Sequence, residues 1–304
     1  MRGATTVVFI AGGGRSGTTL LGNAVGSFPG ALSVGEVKLA FRRGVVEQGH
    51  CGCRAPVLDC PVWAPALAET FGGPPSPALA AELDRRLTGA VRTRTVPWWW
   101  AGRQSAEIDE LADTMARMIR AVARASGADT IVDSSKFPAY GALLARSPLL
   151  DVRVVHVVRD PRAVAWSWQR ASASQQVEGF EEEMERFSVA KTSLMWLTSN
   201  AAVPAVAPSD APRPLVVGYE RLVRDPAGEL ARIAEHAGLA SPPDFVRHDR
   251  IHLGPNHAVA GNPNRVRVGP VELRPDDEWR SRMSRLDKAV VTVMTAPGRS
   301  RRDR

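Results

Sequence analysis

The sequence predicts an α/β fold built on a mostly parallel β-sheet. Short apolar runs with the pattern of buried strands alternate along the chain with amphipathic helical segments. The first apolar run, residues 5–11, leads directly into a cluster of glycines and then into a helical pattern. Both observations are typical of sheets whose strands are joined by helices and whose ligands bind where the strands end.

Apolar, β-branched residues identify the strands. Residues 5–11 form an unbroken run of this kind, as expected for a strand buried on both faces. Further strands are predicted at 31–34, 130–133, 152–158 and 215–218.

Apolar residues at helical spacing identify the segments between the strands. Ile108, Leu111 and Met115 illustrate this spacing, and Asp160 before Pro161 is an expected start of a helix. The predicted helices span residues 16–27, 77–95, 105–126, 161–170, 178–200 and 226–237.

The domain organisation predicted is one domain over residues 1–298, with a helical insertion at about 50–127. Residues 72–77 and 248–275 are rich in Gly and Pro and are expected to be loops. Residues 299–304 contain four Arg and one Asp and are expected to form a disordered basic tail.

Composition narrows the functional class. The 304 residues carry a formal charge of +7, part of which lies in the tail. This small excess of positive charge is compatible with a phosphate-bearing ligand, and the sequence contains no nucleic-acid-binding motif. No run is apolar enough for a membrane helix or a signal peptide, so we expect a cytoplasmic protein that neither binds a membrane nor binds nucleic acid.

The three cysteines, Cys51, Cys53 and Cys60, lie within ten residues of one another. A metal site would need a fourth ligand, and His50 is adjacent to Cys51, which is poor geometry for joint chelation. Reduced thiols or one local disulfide are therefore expected in preference to zinc.

The glycines after the first strand predict an anion-binding loop. Gly12, Gly17 and Thr19 have the spacing of a phosphate loop, but Thr18 stands where such loops carry a lysine. Backbone N–H groups and the start of the following helix favour an anion. The missing lysine weighs against phosphoryl transfer, although Asp133 at a strand end is a possible Mg²⁺ ligand.

A second anion site is predicted after residues 152–158. Arg159 follows this strand, where open α/β sheets bind ligands, and Ser167 lies on the next helix. The guanidinium could clamp a second phosphate. The structural alternative is that Arg159 pairs with an acidic residue of a helix.

Taken together, these motifs resemble those of a known family. Residues 13–19, followed by Arg159-Asp160-Pro161-Arg162 and Ser167, are similar to the motifs of sulfotransferases that use 3′-phosphoadenosine 5′-phosphosulfate (PAPS). Residues 35–36, 132–136, 219–222 and 261–263 extend the resemblance, which covers about residues 5–285. It is closest to the bacterial type that shares motifs with protein-tyrosine sulfotransferases.

The resemblance implies a P-loop-like, three-layer α/β/α domain that transfers a sulfuryl group from PAPS to a hydroxyl, releases 3′-phosphoadenosine 5′-phosphate (PAP) and requires no metal. It implies that Glu36 is the general base and that Arg15 and Lys136 stabilise the group in transit. An N-terminal helix acid is the alternative role for Glu36, and His50 and His156 are alternative bases. The implied donor-binding residues are Gly14, Arg15, Ser16, Gly17, Thr18, Thr19, Arg159, Ser167 and Arg265. Arg265 lies in a loop that also carries His257 and Arg267.

The acceptor is a small molecule whose identity the sequence does not specify. Trp98, Trp99 and Trp100 form either an aromatic acceptor surface or a packed loop. Two other functions remain open: a P-loop kinase or NTPase, and a nucleotide-binding protein without catalysis.

Overall fold

The computed structural model of the chain describes residues 3–92, 105–170, 186–207, 211–240, 243–247 and 250–299. Their central feature is a five-stranded sheet with the order β2-β3-β1-β4-β5. Every pairing in it is parallel. The strands are β1 (Thr5–Gly12), β2 (Ala31–Gly35), β3 (Thr130–Lys136), β4 (Leu150–Val158) and β5 (Leu215–Gly218). The predicted α/β fold with a mostly parallel sheet is confirmed.

Helices connect these strands. In chain order they are α1 (Thr18–Val25), α2 (Trp63–Phe71), α3 (Pro77–Ala90), α4 (Ala106–Ser126), α5 (Pro138–Leu144), α6 (Pro161–Gln169), α7 (Val189–Ala202), α8 (Tyr219–Arg224), α9 (Pro226–Ala237), α10 (Glu278–Arg282) and α11 (Arg285–Arg299). Asp160 caps α6 as predicted, because its carboxylate accepts the N–H of Arg162 and Pro161 opens the helix.

The three layers follow from burial on both faces of β1. Phe9 packs into an apolar cluster that includes Met115 of α4 and residues of α2 and α5. Ile10, the next residue, points to the other face and packs into a second cluster with Leu21 of α1 and residues of α9. Side chains alternate between the faces of a strand, so an uninterrupted apolar run requires helices on both sides.

Residues 248–275 differ from the loop that the sequence predicted. A small antiparallel sheet forms from β6 (Val246–Arg247), β7 (Arg250–Leu253) and β8 (Gly269–Glu272). The strands are short, and β8 begins with Gly and Pro, which are rare inside strands and conceal the pattern.

Other boundaries also differ. The long helix predicted at 178–200 is seen as α7, which begins at Val189, and residues 171–185 lie outside the described part of the chain. The expected tail at 299–304 likewise lies outside it, apart from the final residue of α11. Among the described residues, no helix combines the length and apolar character needed to cross a bilayer.

Candidate functional site

The site lies at the carboxyl ends of β1, β3 and β4. The chain leaves β1 toward one edge of the sheet and leaves β4 toward the other, so a crevice opens where these two adjacent strands end. Gly12 is paired with Val157 of β4, and Ala11 is paired with Lys136 of β3. The register therefore brings the glycine loop, Lys136 and Arg159 to one edge.

The glycine loop turns sharply into α1. A Cβ on Gly12 would lie 2.4 Å from the carbonyl oxygen of Val157, and one on Gly17 would lie 2.6 Å from the ring of Tyr219. Gly17 also has a φ of 86°, a conformation that favours glycine. The loop leads directly into α1 at Thr18, so the free N–H groups of the helix start face the loop.

Arg159 links the second predicted anion site to this loop. Its Nη1 donates to the carbonyl oxygen of Arg15 at 2.8 Å, and its Nη2 donates to Asp276 at 2.8 Å. Its guanidinium also stacks over the ring of Tyr219 at 4.5 Å. Arg159 therefore pairs with an acidic residue, Asp276, which lies just before α10. This contact is similar to the structural alternative, in which Arg159 pairs with an acidic residue of a helix.

Neighbouring residues hold Arg159 in this position. The indole of Trp196 donates to the carbonyl oxygen of Arg159 at 3.0 Å, and the carboxylate of Glu220 accepts the N–H of Asp160 at 2.7 Å. A cavity of about 420 Å³ opens beside Arg159 and is also lined by Tyr219 and Asp276. Its volume is within the range of small-molecule sites, ~300–1,000 Å³.

Positive charge is concentrated here. The pKa of Arg15 is lowered, first by burial and then by the charges of Arg170 and Arg159. Arg15 lies over the ring of Trp168 at 5.0 Å. Within the described residues, the buried atoms Ser16 Oγ and Arg159 Nε have no hydrogen-bond partner. Crowded cations and unsatisfied donors are the features expected of a site that binds an anion.

Glu36 and Lys136 form an ion pair at the ends of β2 and β3. Lys136 Nζ donates to Glu36 Oε1, and the side chains are 18% and 7% exposed for Lys136 and Glu36 respectively. Lys136 has a φ of 71°, which directs the chain sharply away from β3. Glu36 begins a short 3-10 turn but makes no side-chain capping bond there. Its carboxylate is thus engaged with the lysine, while its position at the start of the turn is also the one that the alternative role expects.

Asp133 lies beneath this pair and is completely buried. Its Oδ1 accepts the N–H of Ser135 at 2.8 Å and the Ser135 hydroxyl at 2.5 Å. That hydroxyl in turn accepts the N–H of Lys38 at 3.0 Å. Burial raises the pKa of Asp133 to about 7, and hydrogen bonds from Ser135 only partly offset it. A buried carboxyl with these contacts is poorly placed to ligate Mg²⁺ at the surface.

The remaining predicted donor residues are less closely connected to the crevice. Ser167 is half-buried on α6, the helix that follows Arg159. Arg265 is half-buried on the 3-10 helix Pro263–Val266, where its carbonyl oxygen accepts the Asn23 side chain of α1 at 3.1 Å. Its Nη1 donates to the carbonyl of Gly261 at 3.1 Å. Trp98, Trp99 and Trp100 lie outside the described residues.

The alternative histidine bases lie elsewhere. His50 is exposed and its backbone pairs with Pro56. His156 is buried on β4, contacts Asn200 at 2.8 Å and has its pKa lowered by burial. It lines a separate cavity of about 380 Å³, whose lining includes neither Glu36 nor Lys136.

Trp168, for which the sequence predicts packing in the core or in a nucleotide pocket, shapes the glycine loop. Besides its contact with Arg15, its ring would lie 3.0 Å from a Cβ on Gly14. A single aromatic residue within a helical pattern carries no signal that would distinguish this position from ordinary packing.

The family model described as the sulfotransferase family matches residues 7–243. The chain belongs to the sulfotransferase family. It is therefore a transferase, and the matched region includes the glycine loop, Glu36, Lys136 and Arg159.

Two solved structures are similar to the chain, and the first of them supports this fold. The sulfotransferase domain of the olefin synthase from Synechococcus PCC 7002 has a TM-score of 0.51 and 22% identity, with 97% of this chain and 96% of that chain covered. The sulfotransferase domain from the curacin biosynthetic pathway has a TM-score of 0.48 and 14% identity, with coverage of 97% and 98%. No curated protein matches the chain significantly.

We predict that Asp133 makes stability depend on pH. Its native pKa of about 7 exceeds the ordinary 3.8, so between these values the native state retains a proton that the unfolded chain has lost. The contribution of Asp133 to the free energy of unfolding should therefore be most favourable below about pH 4, fall as pH rises to about 7 and then level off. Asp133→Asn should lack this pH-dependent contribution to the free energy of unfolding. The contribution is at most about 4 kcal/mol, at ~1.4 kcal/mol per pKa unit.

Urea unfolding at about pH 5 and about pH 8 measures the difference. Asp129→Asn, at an exposed position just before β3, is the matched control and should follow the wild type. Equal pH dependence in wild type and Asp133→Asn would contradict the prediction.

Proposed function

We propose that this protein transfers a sulfuryl group from PAPS to a hydroxyl of a small molecule, such as a natural product, a sugar or a lipid, and releases PAP. The observation that carries the proposal is the direct contact between the two anion sites. Arg159 donates to the backbone of Arg15 at 2.8 Å, so a ligand with two separate anionic groups can span both. PAPS has this character, with a phosphosulfate and a 3′-phosphate.

The donor would be held mainly by backbone and arginine groups. In this proposal the phosphosulfate lies against residues 14–19, with the unsatisfied Ser16 hydroxyl as one donor. Arg159 and Ser167 hold the 3′-phosphate, and the cavity beside Arg159 and Tyr219 provides adjoining space for the nucleoside. Arg265, whose backbone is bonded to Asn23 of α1, is a further proposed contact of the donor.

The chemistry is an in-line displacement at sulfur. The acceptor oxygen forms a bond to sulfur while the bond from sulfur to the phosphate oxygen breaks, and PAP carries away the electron pair. The acceptor proton passes to the Glu36 carboxylate, which lies in an ion pair with Lys136. Arg15 and Lys136 stabilise the negative charge of the group in transit, as in phosphoryl transfer.

The kinase or NTPase alternative is less well supported. Thr18 replaces the lysine that such enzymes place on the transferred phosphate. Asp133, the acidic residue considered for Mg²⁺, is fully buried and bonded to Ser135. We therefore propose that sulfuryl transfer by this protein requires no catalytic metal. The tryptophans at 98–100 remain the proposed acceptor surface.

We predict that PAP raises the melting temperature without added metal and does so more than ATP with Mg²⁺, because ligands of the native state stabilise it. Arg159→Ala should remove most of this shift, since an unpaired phosphate loses a charge-assisted bond of ~1.5–3 kcal/mol. Arg153→Ala, on the strand β4 that precedes Arg159 and paired with Asp151, is the matched control.

Arg159→Ala also breaks the pair with Asp276, so the comparison uses the ligand-induced shift and not the melting temperature itself. An unchanged shift with PAP in this variant would reject the 3′-phosphate assignment. A larger shift with ATP and Mg²⁺ than with PAP would favour the NTPase alternative.

We predict that Glu36→Gln lowers turnover by about 10²–10⁴-fold while PAP binding is retained, because the amide cannot accept the acceptor proton. Labelled PAPS at saturation, with any hydroxyl compound found active in a screen, measures the rate. Glu47→Gln, an exposed surface substitution, should leave it unchanged. Turnover by Glu36→Gln near that of the wild type would instead fit a purely structural role.

We predict that Lys136→Ala lowers kcat far more than it raises the KM for PAPS. If the ammonium meets the sulfuryl group mainly in the transition state, its loss affects the chemical step and not donor binding. Initial rates over a range of PAPS concentrations separate the two constants. An increase in KM with kcat unchanged would make Lys136 a donor-binding residue.

A further inference from the structure

The cysteines of the insertion meet a histidine from a distant part of the chain. Cys51, Cys53 and Cys60 lie beside His257, and the four potential ligand atoms are all within 4.8 Å of one another. His257 Nδ1 is 3.2 Å from the sulfur of Cys60 and 3.6 Å from that of Cys51. The sulfur of Cys60 is 3.5 Å from that of Cys51 and 3.7 Å from that of Cys53.

These separations fit one tetrahedral ion. With Zn–S bonds of about 2.3 Å and a Zn–N bond of about 2.0 Å, the ligand atoms of a tetrahedral site lie roughly 3.5–3.8 Å apart. Four of the separations, 3.2, 3.5, 3.6 and 3.7 Å, lie in or near that range, and the other two are within 4.8 Å. Three thiolates and one imidazole are also a common donor set of structural zinc sites.

The backbone is shaped to hold the cysteines. Arg54 has a φ of 74°, and its N–H donates to the carbonyl oxygen of Cys51 at 2.8 Å, which closes a tight turn through Cys53. A Cβ on Gly52 would lie 1.9 Å from the side-chain oxygen of Asn256, so glycine is required where the turn meets the segment of His257. The turn and the histidine are thus fitted to each other.

A second set of contacts orients the ligands. The N–H of Trp63 donates to the sulfur of Cys60 at 3.5 Å, and the indole of Trp63 donates to the carbonyl oxygen of His257 at 2.7 Å. Cys51 and Cys60 have no exposed surface, whereas Cys53 is exposed and closes the cluster from the solvent side. Supporting hydrogen bonds to the ligand residues are typical of metal sites.

We propose that Cys51, Cys53, Cys60 and His257 bind a structural zinc ion. Four protein ligands fill its tetrahedral shell, which leaves no open position for catalysis. A disulfide would join two of the sulfurs but would give no role to the third or to the imidazole. The fourth ligand that the sequence lacked near the cysteines is supplied from residue 257.

This ion would support the candidate base. The segment that contains His257 runs along β2, where the N–H of Val259 donates to Val34 and the carbonyl oxygen of Ala260 accepts the N–H of Glu36, each at 3.0 Å. Zinc would cross-link residues 51–60 to this segment and so fix the backbone behind Glu36. Its role is independent of which sulfuryl donor or acceptor is used.

The test is the metal content of the full-length chain, purified under reducing conditions without chelators from zinc-supplemented cells. We expect about one equivalent of zinc per chain by mass spectrometry of the metal. Cys60→Ser and His257→Ala should each lose most of it, whereas His50→Ala, which changes the histidine adjacent to Cys51, should retain it.

Cobalt provides a readout that does not depend on the folding of a variant. Adding Co²⁺ to zinc-depleted wild-type protein should produce the intense visible absorption of a tetrahedral site and a thiolate charge-transfer band, both abolished by excess zinc. Absence of zinc together with no cobalt spectrum, or a disulfide found in the protein purified under reducing conditions, would overturn the proposal.

Discussion

Parallel hydrogen bonding between β1 and its two neighbours determines where the charged groups of this protein lie. Lys136 is paired with Ala11, and Arg159 follows directly after β4, which is paired along its length with β1. The pKa of Arg15 is lowered first by burial and then by the charges of Arg170 and Arg159, so bringing these groups together has a cost. Burial of the apolar strands offsets this cost, so the sheet holds these cations close to one another.

Much of this arrangement could be predicted because it depends on local sequence. Apolar runs identify the strands, and the parallel connection of strands through helices places their carboxyl ends at one edge. The positions of Glu36 and Lys136 follow from this rule without knowledge of their contacts. The glycine loop could likewise be predicted from its local spacing, whereas the contacts that require Gly12 and Gly17, with β4 and Tyr219, are seen only in the fold.

Contacts between residues distant in sequence could not be predicted. His257 reaches Cys60 across 197 positions, and Asp276 reaches Arg159 across 117. Neither pairing leaves a spacing pattern in the chain, because each depends on the path of residues 250–276 over the sheet. The small antiparallel sheet in that region was missed for a related reason, since its strands have four residues or fewer.

Asp276 has a consequence for how the crevice exchanges ligands. Its carboxylate occupies Arg159 at 2.8 Å and also lies 3.3 Å from Arg170. Under the proposed function, an incoming 3′-phosphate must displace this carboxylate, and the carboxylate can return as the product departs. Ligand binding and product release then each exchange one anion for another on the guanidinium of Arg159. Arg159, which is only 6% exposed, is in this way never left as a bare buried charge between turnovers.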